Sequence, residues 1–245
     1  MSVAGATPDS EPGPVTPLEL IELGLRDYEA ALATQREVHA AVAAGERSDA
    51  LILCEHPLVV TTGRRTEPAA VAGARAAGVP VIDIARGGRA TLHLPGQLVG
   101  YPILRLEAGR RDVPRLLRAL EELLIRLLAE LAGLEAGRRE GLTGVWTGPE
   151  LGRKIASIGI GVERWVTLHG FALNVDCDLT KFRLIDPCGL SPSVMTSLAR
   201  ETDEATARAF RAAFPGRVSE ALNEVIAEVF GAAGVKASQR PESES

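Results

Sequence analysis

Thr-Leu-His occurs twice in this chain, at residues 91–93 and 167–169, and each copy lies in an apolar segment that contains glycine. The chain has only four histidines, so two of them in matched settings form a candidate functional pair. Glycine within a strand often marks a place where a ligand approaches the backbone. The two segments are therefore predicted to form two walls of one pocket, and a third segment, residues 186–190, could supply a nucleophile.

The candidate nucleophile of the third segment is Cys188. It follows a proline and precedes a glycine, in a turn just before a predicted helix, where a thiol would be open to an approaching carbonyl. Cys54 lies instead in an apolar run, where a free cysteine behaves as a small hydrophobe. Cys177 lies between two aspartates, which disfavour a thiolate.

A thiol is only a few per cent ionised at neutral pH, so a catalytic cysteine needs a nearby cation or base. Lys154 is the candidate, because it begins an apolar strand and lysine is rarely buried without a partner. An ammonium at about 4 Å contributes roughly 4 kcal/mol at an effective dielectric of ~20, enough to lower a thiol pKa by up to about three units. The alternative is a lysine that protects an edge strand from pairing. Lys181 lies in a polar loop and is expected to be solvated.

Each histidine also has a structural interpretation. His93 and His169 could be general bases, hydrogen-bond donors or core residues, His56 precedes a proline and is expected to be exposed, and His39 lies on a predicted helix. No histidine, cysteine or carboxylate spacing is typical of a metal site, and no glycine-rich phosphate loop is present. We therefore expect neither a metal nor a cofactor.

Composition excludes several classes of protein. The net charge of −5 over 245 residues argues against nucleic acid as the main partner. Three cysteines exclude a disulfide framework, and no apolar run or leader indicates a membrane span or export, so a cytoplasmic protein is expected. Residues 1–16 and 236–245 are predicted to be disordered tails, and residues 17–235 a single catalytic domain.

Hydrophobic periodicity predicts an α+β fold, with a mixed, mostly antiparallel sheet flanked by helices. Strands are expected at 18–23, 50–55, 59–62, 79–84, 91–93, 100–106, 144–147, 154–163 and 165–175, of which the last three are consecutive antiparallel strands. Helices are expected at 27–44, 68–77, 112–132, 191–200, 202–214 and 217–230.

Taken together, the stretches RGGRATLHLPGQLVGYPIL and GRKIASIGIGVERWVTLHGFALNV and the turn at Cys188, in that order, resemble the lipoyl(octanoyl) transferases of lipoate biosynthesis. Residues 55–57 and 62–63 add to this resemblance, which spans about residues 18–230. It implies a fold shared with biotin and lipoate protein ligases, a Cys188 that carries the acyl group and a Lys154 that lowers the pKa of that thiol. The implied acyl-binding walls are Arg86, Gly87, Gly88, Arg89, Ala90, Thr91, Leu92, His93, Ser157, Ile158, Gly159, Gly170, Phe171 and Ala172.

The chain departs from the family pattern at two positions. Leu92 stands where the family usually has tyrosine, and Leu94 where it usually has glycine. Both changes are expected to add apolar bulk near the pocket and so to affect the preferred acyl length.

The resemblance implies a two-step octanoyl transfer. The donor would be octanoyl-acyl carrier protein, and the acceptors would be lysines of the lipoyl domains of 2-oxoacid dehydrogenases and of the glycine cleavage H protein. Acyl carrier proteins are acidic, so some arginines are expected to form a docking patch. The alternatives are an ATP-dependent lipoate or biotin protein ligase, a non-catalytic acyl-binding protein and a Cys/His thioesterase.

Overall fold

The computed structural model describes residues 18–186 and 191–230. Cys188 lies outside the described residues, as do the two predicted tails. The predicted boundaries of the single domain therefore stay predictions.

A seven-stranded sheet forms the centre of the described fold. Its order is β1-β2-β6-β10-β9-β8-β7, and every neighbouring pair is antiparallel except β1 with β2, which are parallel. The strands are β1 (Glu19–Leu25), β2 (Ala50–Glu55), β6 (Gln97–Ile103), β7 (Ala136–Arg139), β8 (Leu142–Thr147), β9 (Arg153–Glu163) and β10 (Val166–Asn174). The predicted strands at 144–147, 154–163 and 165–175 are indeed consecutive and antiparallel.

A second sheet of three strands packs beside the first. It has the order β4-β3-β5, in which β3 (Val59–Thr62) pairs in parallel with β4 (Val81–Asp83) and antiparallel with β5 (Thr91–His93). The prediction that residues 91–93 extend the main sheet was wrong. These residues pair with residues 59–61 instead, and this pairing buries Leu92 and Val60 together in a separate apolar core.

The helices cover both faces of the large sheet. Helices α3 (Val113–Ala132) and α5 (Glu204–Phe230) pack on one face, and α1 (Tyr28–Ala44) packs on the other, together with residues of the small sheet. Two short helices, α2 (Ala72–Ala76) and α4 (Leu198–Glu201), lie in the connections. This arrangement is the predicted α+β class, with helices flanking a mostly antiparallel sheet.

Local sequence explains the two best-defined helices. In α3 the Asp112 side chain accepts a hydrogen bond from the backbone N–H of Arg115, and a stripe of leucines is completely buried against the sheet. Both α1 and α3 end at a glycine in the left-handed region, Gly45 and Gly133, which caps the last carbonyls.

The observed helices differ from the predicted ones in two places. The expected break at Pro215 does not divide the last helix, because buried Phe214 and Val218 hold both sides of the proline against the core. The helix expected at 191–200 consists of a short 3₁₀ turn, Pro192–Val194, and the single turn of α4.

Candidate active site

A half-open cleft of about 320 Å³, including its mouth, lies between the large sheet, the small sheet and α1. Both Thr-Leu-His segments contribute to it, so the prediction of two walls of one pocket is confirmed. The residues that line the cleft are Tyr28, Ile84, Arg86, Thr91, His93, Tyr101, Ser157, Ile158, Gly159, His169, Gly170, Phe171 and Ala172.

Most of the residues expected to form the acyl-binding walls line this cleft. On the large sheet, Ser157 pairs with Ala172 and Gly159 with Gly170, so the two predicted segments of β9 and β10 lie side by side. The side chain that a Gly170 substitution would add meets the carbonyl oxygen of Gly100 and lies 2.6 Å from Pro102 Cδ. Glycine is therefore required here for β10 to approach β6 closely.

The other expected wall residues lie away from the cleft. Leu92 and Leu94 are buried in a separate core beside the small sheet, with Ala90, and therefore do not add bulk to the pocket. The alternation of β5 explains this, because Thr91 and His93 face the cleft while the leucine between them faces the other way. Gly87, Gly88 and Arg89 form the loop that leads into this wall and do not line the cleft.

Arg86 anchors that loop. Its guanidinium is buried and donates hydrogen bonds to the carbonyl oxygen and the hydroxyl of Thr61, at 3.1 Å each, and to the carbonyl oxygen of Gly87 at 3.0 Å. The backbone N–H of Gly87 donates in turn to the carbonyl oxygen of Ile160 at 3.1 Å. These bonds join the small sheet to β9 and close one side of the cleft.

Lys154 lies on β9, between β8 and β10, and only 5% of the residue is exposed. The alternative of an edge-strand lysine was therefore wrong. Its Nζ donates to the carbonyl oxygen of Thr143 at 2.9 Å and lies 5.5 Å from the ring centroid of Trp146. Gly144 has a φ of +131° and leaves room for the lysine, since a Cβ there would lie 2.6 Å from Lys154 Cε.

The chain that follows Cys188 returns to this lysine. Met195 forms a parallel bridge with Lys154, and the backbone N–H of Thr196 donates to the carbonyl oxygen of Lys154 at 3.0 Å. Asn174 on β10 fixes the same segment, because its Nδ2 donates to the carbonyl oxygen of Thr196 at 2.8 Å. Residues 195–196 are thereby held against β9, beside the candidate cation.

Burial keeps both cleft histidines neutral. It lowers the pKa of His93 well below its usual value, and it lowers the pKa of His169 to about 4, with the nearby guanidiniums of Arg86 and Arg36 acting in the same direction. The Nδ1 atoms of both rings are buried and have no hydrogen-bond partner within the described part of the chain. A neutral imidazole can donate or accept a hydrogen bond, and its low pKa makes it a weak base.

His56, expected to be exposed, is completely buried. Its Nδ1 donates to the carbonyl oxygen of Arg26 at 2.6 Å, and the hydroxyl of Tyr101 donates to its Nε2 at 2.7 Å. These bonds tie β6 to the chain that precedes α1, because Tyr101 lies on that strand. The pair places Tyr101 in the cleft wall, and sequence spacing provided no signal for that partnership.

The remaining cysteines and basic residues match their structural interpretations. Burial raises the pKa of the Cys54 and Cys177 thiols to about 12 each, so both stay protonated. His39 is buried on α1, with Nε2 3.1 Å from the carbonyl oxygen of Glu163. Lys181 is half exposed, and its Nζ lies 3.9 Å from an Asp178 carboxylate oxygen.

With this geometry established, residues 27–219 match the family model described as the lipoyl protein ligase A/B catalytic domain. The chain belongs to that family. An octanoyltransferase of Salinispora tropica is 52% identical over 189 residues, which cover 75% of this chain and 85% of the relative. An octanoyltransferase of Mycobacterium tuberculosis is 47% identical over 210 residues, or 85% of this chain and 89% of the relative.

Solved structures of the lipoyl protein ligase A/B family share the fold. A crystal structure of lipoate-protein ligase A bound with ATP matches with a TM-score of 0.65 at 18% identity, covering 87% of this chain and 85% of that one. The expected family and the lipoate ligase fold are confirmed, and octanoyl transfer in protein lipoylation is the activity that the curated relatives support. No described helix is both long and apolar enough to cross a membrane.

Proposed function

We propose that this family member transfers octanoyl groups through a thioester on Cys188. The Cys188 thiolate attacks the carbonyl carbon of octanoyl-acyl carrier protein and the thioester bond to the carrier breaks. The leaving carrier thiolate takes a proton from the Lys154 ammonium, which the proton lost by the acceptor amine later restores. The ε-amine of a lipoyl-domain lysine then attacks the new thioester, forming an amide and releasing the Cys188 thiolate. Dividing the transfer into two such steps is covalent catalysis.

The position of Lys154 is the observation that supports this function best. An ammonium buried in an interior strand requires a reason, because its desolvation is costly. A cationic partner for a nearby thiolate is such a reason. Residues 195–196, which follow Cys188 in the same segment of chain, are bonded to the backbone of this lysine. The acceptor amine must lose a proton to form the amide, and the Lys154 and Cys188 pair is its proposed proton sink.

The cleft supplies the second requirement, which is exclusion of water from the thioester. The part of its wall nearest Lys154 along β9 and β10 is formed by small or apolar residues, among them Ser157, Ile158 and Ala172. An acyl chain bound there would be shielded from water, so that transfer to an amine competes better with hydrolysis.

Three exposed arginines are our candidates for docking the acidic carrier protein. Arg64 and Arg65 lie on the loop after β3, and their backbone N–H groups donate to the carbonyl oxygens of Arg86 and Gly88. Arg89 lies next to this contact, at the start of the cleft wall. None of the three forms an ion pair with a carboxylate of the described residues. The acidic residues nearest to them in sequence are Glu67 and Asp83.

The test is octanoylation of an isolated lipoyl domain by octanoyl-acyl carrier protein without ATP, measured by mass spectrometry of the modified lysine. We expect transfer by the natural chain and none by Cys188→Ala or Cys188→Ser. An ATP-dependent ligase would need ATP and would retain activity with serine, and a thioesterase would release free octanoate. A non-catalytic acyl-binding protein would modify nothing, and each of these three results would contradict the proposal.

A further inference from the structure

His169 has a backbone conformation that a strand does not normally contain. Its φ is +62° within β10, in the left-handed region that few residues other than glycine adopt, although histidine adopts it more often than most. The residue is nonetheless buried and paired in register with Ile160. Such a conformation persists only where the surroundings enforce it, and it is concentrated at functional positions.

Gln35 of α1 holds the backbone of His169 in this conformation through a hydrogen bond. Its Oε1 accepts the backbone N–H of His169 at 3.1 Å, and Gln35 is completely buried. As a consequence, two consecutive residues face the α1 side of the sheet: His169 lines the cleft, and Leu168 packs in the core against α1. Regular alternation would send two adjacent residues to opposite faces, so the left-handed turn redirects the imidazole into the cleft.

The position of His169 defines one end of the cleft. On β10, Gly170 and Ala172 line the cleft on the Lys154 side of His169, whereas Leu168 and Val166 on its other side are buried in core packing. From Ser157 to Ile160, the partner of His169, β9 rises about 10 Å. This extent of the lining is close to the extended length of an eight-carbon chain.

This end is also polar. The Nδ1 atoms of His169 and His93 and the Nε2 of Gln35 are buried without a partner within the described residues. Beyond this end Leu168 and Val166 belong to the packed core, so further methylene groups would have to displace close-packed side chains. An alkyl chain longer than the cleft is therefore disfavoured at this point.

We propose that His169, positioned by Gln35, is the stop that sets the maximum length of the acyl group in the cleft. This inference rests on the proposed function and adds the length selection of the same site. His169 is the specificity-determining residue, and Gln35 acts through it as a positioning residue.

The experiment is a competition between equal concentrations of octanoyl, decanoyl and dodecanoyl thioesters of one carrier protein, with the lipoyl-domain products measured by mass spectrometry. His169→Gly removes the ring and suits the left-handed backbone, and we expect the decanoyl-to-octanoyl product ratio to rise about tenfold, as burial of two more methylene groups predicts. A product ratio does not depend on how much enzyme is folded.

Two further variants separate positioning from general stability. Gln35→Met removes the acceptor for the His169 N–H and is expected to raise the ratio about threefold. His39→Gly is the matched control, since His39 is also buried but lies outside the cleft lining. If His169→Gly fails to fold, His169→Asn also tolerates the left-handed region.

An unchanged product ratio in folded His169→Gly, or an equal shift in His39→Gly, overturns the inference. Absence of any product from the natural chain contradicts the proposed function instead. In that case calorimetry with free octanoate, decanoate and dodecanoate still tests the stop, and equal chain-length discrimination by the natural chain and His169→Gly would overturn it.

Discussion

Lys154 and His169 lie on neighbouring strands of the large sheet, yet their surroundings differ in kind. The Lys154 ammonium has a carbonyl oxygen at 2.9 Å, an indole ring beside it and a glycine that makes room for it. The His169 ring instead has a buried Nδ1 without a described partner and a pKa lowered to about 4. A charge must be compensated to be buried, whereas an imidazole can remain neutral.

Because of this difference, we expect the two regions to have different roles in the reaction. A retained charge suits the step that makes and breaks a thioester, and it should affect every acyl chain alike. A neutral polar wall suits discrimination between chains. Variants near Lys154 should therefore change rates, and variants near His169 should change selectivity.

Lys154→Met should have the largest effect. Without the ammonium the Cys188 thiol returns toward its ordinary pKa, and we expect kcat/KM to fall by roughly 10²–10³-fold. The fall should be equal for octanoyl and decanoyl donors in steady-state assays, because the change lies outside the length-selecting end. Lys181→Met, at a half-exposed lysine, is the control and should retain full activity. A loss confined to one chain length would contradict the division of roles.

Leu92→Ala should reduce stability by about 3 kcal/mol in urea unfolding, because it removes a completely buried side chain and leaves a void. The decanoyl-to-octanoyl product ratio should not change, since Leu92 faces the core beside the small sheet. Leu25→Ala, at a leucine that is 62% exposed, is the stability control. A shift in acyl length with Leu92→Ala would show that this residue reaches the acyl chain.

Titration of His169 should make the free energy of unfolding depend on pH. Because the pKa of His169 falls from 6.5 unfolded to about 4 folded, the unfolded chain binds more protons between these values. The contribution of neutral His169 to the free energy of unfolding is therefore fully present above pH 6.5. It decreases as pH falls, by about 2 kcal/mol between pH 7 and pH 5.

His169→Asn tests this linkage, measured as the difference from the natural chain in urea unfolding at both pH values. The difference is needed because Asp49, whose pKa burial raises to about 6, contributes with the opposite sign between pH 3.8 and 6. Parallel pH dependences for the two proteins would mean that His169 is not held neutral by the fold.

The smallest expected effect concerns carrier docking. Arg64→Glu with Arg65→Glu should raise KM for octanoyl-acyl carrier protein about tenfold at low salt, and less at high salt, because exposed charges are screened. Arg115→Glu with Arg208→Glu gives the same change in net charge on the helices of the opposite face. Equal effects of the two pairs, or a change in KM for the lipoyl domain instead, would contradict this surface.

The pairing of both Thr-Leu-His segments in one cleft was predictable from their residues, as were the three antiparallel strands and the interior-facing leucines of α3. The direction of Leu92, away from the cleft and into the core beside the small sheet, followed from alternation within β5 and was missed because the separate small sheet was not foreseen. The contacts between Gln35 and His169, and between His56 and Tyr101, join segments far apart in sequence. Local patterns carry no information about such long-range hydrogen bonds.

The central claim is that the octanoyl group is carried on Cys188. Intact-protein mass spectrometry after mixing with octanoyl-acyl carrier protein, without an acceptor, tests it most directly. We predict one added octanoyl group on the natural chain that neutral hydroxylamine removes, much less on Lys154→Met and none on Cys188→Ala. An unmodified natural chain, or an adduct that persists in Cys188→Ala, would contradict the account.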